Sequence, residues 1–72
     1  PAKEFFQIIE SKFPENSKFV MIGDDSINDI EGAKNNNWKT VWLSFDRKIE
    51  LDSDFTIKDI FVLEKVLTTN IN

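Results

Sequence analysis

Neither cysteine nor histidine occurs in the 72 residues. Without cysteine there can be no disulfide framework, no thiolate nucleophile and no cysteine-type zinc site. Without histidine the imidazole acid–base chemistry and the other common zinc ligand are gone as well. Any reaction must therefore run on carboxylates, lysines, hydroxyls or a hard cation held by oxygen. Positive charge is scarce too. Arg47 is the single arginine and the net charge is −4, so no basic face exists to follow a phosphate backbone, and a nucleic-acid partner is not expected. No apolar run approaches the roughly 18 residues of a membrane span, and the start does not read as a signal peptide. A membrane partner is therefore not expected, and the compartment expected is cytoplasmic.

What is present is bulky. Seven Phe and two Trp stand in a sequence that is 40% apolar. A single small domain of this length buries only about 60% of its unfolded surface. Because the chain opens on Pro1 and not on Met, it is expected to be a piece of a longer protein.

Periodicity divides the chain into six elements. Residues 3–13, KEFFQIIESKF, carry Phe5, Phe6, Ile8, Ile9 and Phe13 on a helical stripe that Pro14 ends. KFVMIG at 18–23 is apolar from Phe19 to Ile22 without alternation, the pattern of a strand buried on both faces of a parallel sheet. Ile27, Ile30 and Ala33 predict a short amphipathic helix over about 26–36, closed by Asn36 or Asn37 in a left-handed conformation. KTVWLS at 39–44 is a second strand. FDRKIELDSD reads as a solvated loop, FTI at 55–57 as a short third strand, and DIFVLEKVL at 59–67 as a final helix starting near Asp59. That helix is expected to turn Ile60, Leu63, Val66 and Leu67 inward, and the TTNIN tail to fray. The order α–β–α–β–β–α contains one βαβ unit, which belongs to doubly wound α/β folds. Three short strands and three helices can hardly cover a two-sided apolar strand, so a missing partner is expected along one edge.

The chemistry sits where the first strand stops. Ligands of open α/β sheets lie beyond the carboxyl ends of the strands, and there Gly23, Asp24 and Asp25 are followed by Asp29 in the next helix. Mg²⁺ takes oxygen ligands and is commonly held by one or two carboxylates, waters and a substrate phosphate. It would also relieve the repulsion of neighbouring acids, about 4 kcal/mol for unit charges 4 Å apart at an effective dielectric of 20. Helix capping competes as an explanation. Asp25 or Ser26 is a good N-cap, Ser26 to Asp29 loosely fits a capping box, and first-turn acids complement the helix dipole. Capping accounts for Asp25, Ser26 and Asp29 but not for Asp24; spacing alone leaves both readings open. Lys3 and Lys34 read as surface lysines, Trp38 and Trp42 as core.

The stretch VMIGDDSINDIEGAKNNNWKTVWL resembles the fourth motif of haloacid-dehalogenase (HAD)-type hydrolases. Gly23, Asp24, Asp29, Ile30, Gly32 and Ala33 stand in the motif's places, and PAKEFF resembles the third motif from its Pro onward, with that motif's Lys falling one position before Pro1. Asn37 stands where the family usually has Gly, and Asp25 where Ser or Thr is frequent. The family's upstream Asp-x-Asp and Ser/Thr motifs have no counterpart here. The resemblance implies an α/β, Rossmann-like (HAD-type) parallel sheet of which residues 1–72 are the C-terminal portion. It further implies Mg²⁺ as cofactor, with Asp24 and Asp25 on the metal side and Asp29 orienting the site. The implied partners are a small phosphorylated metabolite and the missing N-terminal half of the fold. Two other readings are a receiver-like signalling module holding Mg²⁺ beside a phosphorylated Asp, and a non-catalytic truncated remnant.

Overall fold

The computed structural model describes residues 3–45, 47 and 51–71, with the side chains of 70 and 71 excepted. Helix α1 (Lys3–Ser11) leads through a turn into β1 (Val20–Gly23). A wide turn of π-helix (Ser26–Glu31) continues into α2 (Gly32–Asn35), and β2 (Lys39–Leu43) and β3 (Phe55–Ile57) follow. A 3-10 turn (Ile60–Val62), α3 (Leu63–Val66) and a second wide turn (Leu67–Ile71) close the chain. The three strands make one sheet in the order β1–β2–β3, all parallel, with Val20 opposite Lys39 and Val41 opposite Phe55. The α/β, parallel-sheet reading holds.

Burial follows strand position. Central β2 buries Thr40, Val41 and Trp42, whereas edge strand β1 is half-buried throughout. Full two-sided burial, expected for Phe19–Ile22, is thus not reached, because β1 has a neighbour on one side only among the described residues.

On one face of the sheet, Phe6 of α1 packs edge-to-face on Trp38 with centroids 5.0 Å apart, and Trp38 stacks on Phe19 at 4.9 Å. Ala33 of α2 completes this cluster, fully buried like Phe6. Its single methyl lets the large rings close over α2. The Trp38 indole N–H donates to the Glu10 carboxylate at 2.7 Å, so the ring's polar edge is satisfied as its face is buried.

Asn37 closes the helix that precedes β2 with φ of 62°, the left-handed geometry that Asn tolerates better than most side chains. Two expectations fail. Ile27 is 64% exposed; the turn that carries it is wound wide, with the Gly32 N–H reaching back five residues to the Ile27 carbonyl, and this wider winding shifts the apolar stripe out of phase. In the last helix Ile60 is exposed and Leu63, Val66 and Leu67 are only half-buried; the helical backbone runs through Ile71, and Asn72, the end of the TTNIN tail, lies outside the described residues. Asp59 does cap that helix, accepting the Phe61 N–H at 2.9 Å.

The segment after β2 is anchored, not merely solvated. Thr40 and Asp54 form a reciprocal pair: the Thr40 N–H donates to the Asp54 carboxylate and the Asp54 N–H to the Thr40 hydroxyl, both at 2.9 Å. Lys34, expected to be solvated, pairs with Asp52 at 3.3 Å. Residues 46 and 48–50 of this segment lie outside the described residues.

The aromatic cluster sets a measurable expectation. Phe6→Ala removes the ring that joins α1 to Trp38 and should destabilise the chain by about 3–5 kcal/mol, read by urea denaturation. Trp38→Phe loses the bond to Glu10 and one ring of the indole while keeping an aromatic in the cluster, so its cost should be smaller, about 1–3 kcal/mol.

Candidate functional site

Parallel strands put the ends of β1 and β2 on one rim. There Asp24, Asp25, Ser26, Trp42 and Arg47 line an open hollow of about 340 Å³. A larger hollow, about 920 Å³, lies at the opposite, amino end of the strands, between the end of α1 and Asn36–Lys39; it contains none of the clustered acids.

The three acids have separate employments. Asp25 is the N-cap of the wide turn, its Oδ1 accepting the Ile27 N–H at 3.0 Å and the Asn28 N–H at 2.9 Å. Its Oδ2 accepts the Asn28 side-chain amide at 2.9 Å. The Asn28 backbone N–H above all, then the Asn28 amide, and the Ile27 N–H after them hold the Asp25 carboxyl below its ordinary 3.8, against a smaller opposing effect of desolvation.

Asp29 turns back toward the strand end, as its spacing suggested. Its Oδ2 accepts the Asp25 backbone N–H at 3.2 Å. The carboxylate occupies the space over Gly23, where an added Cβ would overlap Asp29 Oδ2 and Cγ. Gly23 is therefore required for close approach, a use of glycine that does not depend on its φ freedom.

Asp24 remains. Its carbonyl accepts the Trp42 indole N–H at 3.1 Å, which fixes its backbone. Its carboxylate is 59% exposed, and Arg47 Nη2 stands 3.9 Å from Oδ2, beyond hydrogen-bond range. Among the described residues no donor bonds this carboxylate. Asp24 is thus the one acid of the three with neither carboxylate oxygen hydrogen-bonded among the described residues. Capping is realised at Asp25. Among the described residues no three acids gather closely enough to cage a metal by themselves.

Sequence reasoning missed Arg47 and Asp54. Arg47 donates through Nε to the Ser44 carbonyl at 2.8 Å and through Nη2 to the Leu43 carbonyl at 3.0 Å. Its sole signal was being the lone arginine, one turn beyond a strand end. Asp54 partners Thr40 across 14 positions, which no local pattern announces. Burial pushes the Asp54 carboxyl up, but the Thr40 N–H and hydroxyl, with Lys34 and Lys39 nearby, outweigh it and hold it below 3.8.

Two outcomes test this geometry. Gly23→Ala should expel the Asp29 carboxylate, seen as faster exchange and a shifted signal of the Asp25 amide. For Asp25 the folded pKa is depressed, so its contribution to stability is complete above the unfolded value and is lost as pH falls through the folded one. Melting temperature should accordingly hold above about pH 5 and drop below pH 3.8, the ordinary value, and Asp25→Ala should flatten part of that drop.

A crystal structure of YfnB from Bacillus subtilis, described as a HAD-hydrolase bound to magnesium, superposes with a TM-score of 0.81 at 26% identity. The match covers 93% of this chain and 32% of that one, so the chain spans about a third of its neighbour's length. No curated protein matches significantly. The Pro1–Ala2 start of the third-motif resemblance lies outside the described residues. The family model for HAD-hydrolase-like proteins matches residues 1–66, and with the parallel sheet and the acid at the end of its first strand, the chain belongs to the HAD-hydrolase-like family.

Proposed function

We propose that this chain is the C-terminal segment of a Mg²⁺-dependent HAD-like phosphatase acting on small phosphate monoesters in the cytoplasm, and that Asp24 is its metal ligand. The observation that carries the reading is the uncommitted Asp24 carboxylate at the carboxyl end of an edge strand. One free carboxylate suits Mg²⁺, which binds through one or two such groups and completes its shell with waters and substrate phosphate. It does not suit a cation that needs an all-protein cage. Asp25, already accepting three hydrogen bonds, would reach the ion only through a water.

When bound, the ion would draw charge off a transferring phosphoryl group. The chain's own residues prepare the place. Trp42 fixes the Asp24 carbonyl, so the carboxylate leaves a backbone that cannot rotate freely. Asp29 holds the Asp25 amide and Asp25 holds the first helical turn, which sets the direction in which the chain leaves the strand. Asp29 is a positioning residue on this account. The nucleophile and the acid–base group would come from the N-terminal half, whose natural seat is the open edge of β1. No helix among the described residues is long and apolar enough to cross a membrane.

The 72 residues alone should not hydrolyse a phosphate monoester such as p-nitrophenyl phosphate. Joined to the upstream half they should, in a Mg²⁺-dependent manner, and Asp24→Asn should lower kcat/KM about 100-fold or more. Undiminished hydrolysis by Asp24→Asn would overturn the assignment.

A further inference from the structure

Arg47 has no part in that account, and its placement is costly. Phe45, two residues earlier, has φ of 50°, a left-handed backbone that is a genuine outlier for a bulky side chain. Such strain persists only where the surroundings over-determine it. Here it folds the chain sharply after β2, with the Arg47 N–H bonded to the Ser44 carbonyl at 3.0 Å, and brings the guanidinium back over the rim. The Leu43 and Ser44 carbonyls hold one edge of the guanidinium. The Trp42 and Phe45 rings each lie 5.7 Å from its carbon, within cation–π range. A side chain with this many restraints is held in position, and the place where it is held is beside Asp24 Oδ2.

We propose that Arg47 is the resident counter-cation of Asp24, and that it limits how tightly this rim holds a divalent ion. The inference rests on Asp24 being a metal ligand. The guanidinium carries its charge at every physiological pH and cannot leave by deprotonation. A divalent ion reaching Asp24 must therefore displace it from the carboxylate or bind against its repulsion. In the ion's absence Arg47 is the cation that faces the Asp24 carboxylate. Of the five residues that line the hollow, it is the one that carries positive charge.

The chain supplies its own reporters. It has two tryptophans and one arginine; the Trp42 indole N–H touches Asp24 and the Trp38 indole N–H touches Glu10. The ¹⁵N-labelled chain, assembled with its unlabelled upstream half, is titrated with Mg²⁺ at constant ionic strength, as wild type and as Arg47→Met, with the Trp38 indole signal reporting that each is folded. In the wild type, Mg²⁺ should shift the Trp42 indole and Arg47 Nε–H signals and leave Trp38 in place. In Arg47→Met the apparent Kd for Mg²⁺ should tighten by up to roughly fivefold, a direction opposite to that of structural damage. A Trp42 response with unchanged or weaker affinity in Arg47→Met overturns the counter-cation role and leaves Asp24 as ligand. No Trp42 response in either folded chain overturns the metal-ligand reading and this inference with it.

Discussion

Asp29 reaches the Asp25 amide only because position 23 offers no side chain, and the disposition of the rim follows from that contact. With the amide held, Asp25 is turned so that its own carboxylate caps the following turn. Two negative groups are thereby engaged with backbone donors, and for Asp25 those bonds hold the carboxyl below its ordinary value. The third is then left at the strand end with nothing bonded to its oxygens among the described residues. Three acids in six positions would otherwise repel one another; here the backbone neutralises two and Arg47 faces the third.

The rim is also held from below. Trp42 is buried in β2, and it spends its one polar atom on the Asp24 carbonyl, so packing of the central strand and the backbone of the candidate ligand are a single arrangement. At the opposite end of the sheet the Thr40–Asp54 pair fixes where β3 begins. A one-residue slip of β3 would turn Ile57 away from the core, where it is buried. Capped and paired acids therefore do structural duty at both ends of the sheet. Of the three rim acids, Asp24 alone has a carboxylate that no donor bonds among the described residues.

Most of the architecture was legible because it depends on local pattern. The unalternating apolar run before Gly23, the β-branched Thr40 and Val41, and the isolated FTI each became a parallel strand. Asn37 was readable as a helix terminator because few side chains accept its backbone angle. Ile27 was misread because periodicity assumes a regular 3.6-residue turn, and the wide turn at Ser26–Glu31 breaks that assumption. Asp25 was ambiguous in sequence, since an N-cap and a metal ligand use the same residue at the same place; only hydrogen-bond geometry separates them. Arg47 and Asp54 were invisible for another reason. Asp54 pairs with Thr40 of β2 and Arg47 faces Asp24 beyond β1, and a loop's polar residues look alike until the sheet brings two strand ends together.

The half-burial of β1 and the solitude of Asp24 have a common origin. A strand that is apolar on both faces yet bonded on one edge lacks a neighbour, and a divalent ion given one carboxylate lacks ligands. A parallel strand added beside β1 would meet both needs at once, because its carboxyl end would fall next to Asp24 across the hydrogen-bonded spacing of about 4.8 Å. On the proposed reading that strand belongs to the part of the fold represented in the longer neighbour and not in these 72 residues. Completion of the sheet and completion of the metal shell would then be one event: an apolar edge becomes buried as a second acid arrives at the rim. Under that arrangement the counter-charge of Arg47 has its use before assembly, when Asp24 has no other cation to face.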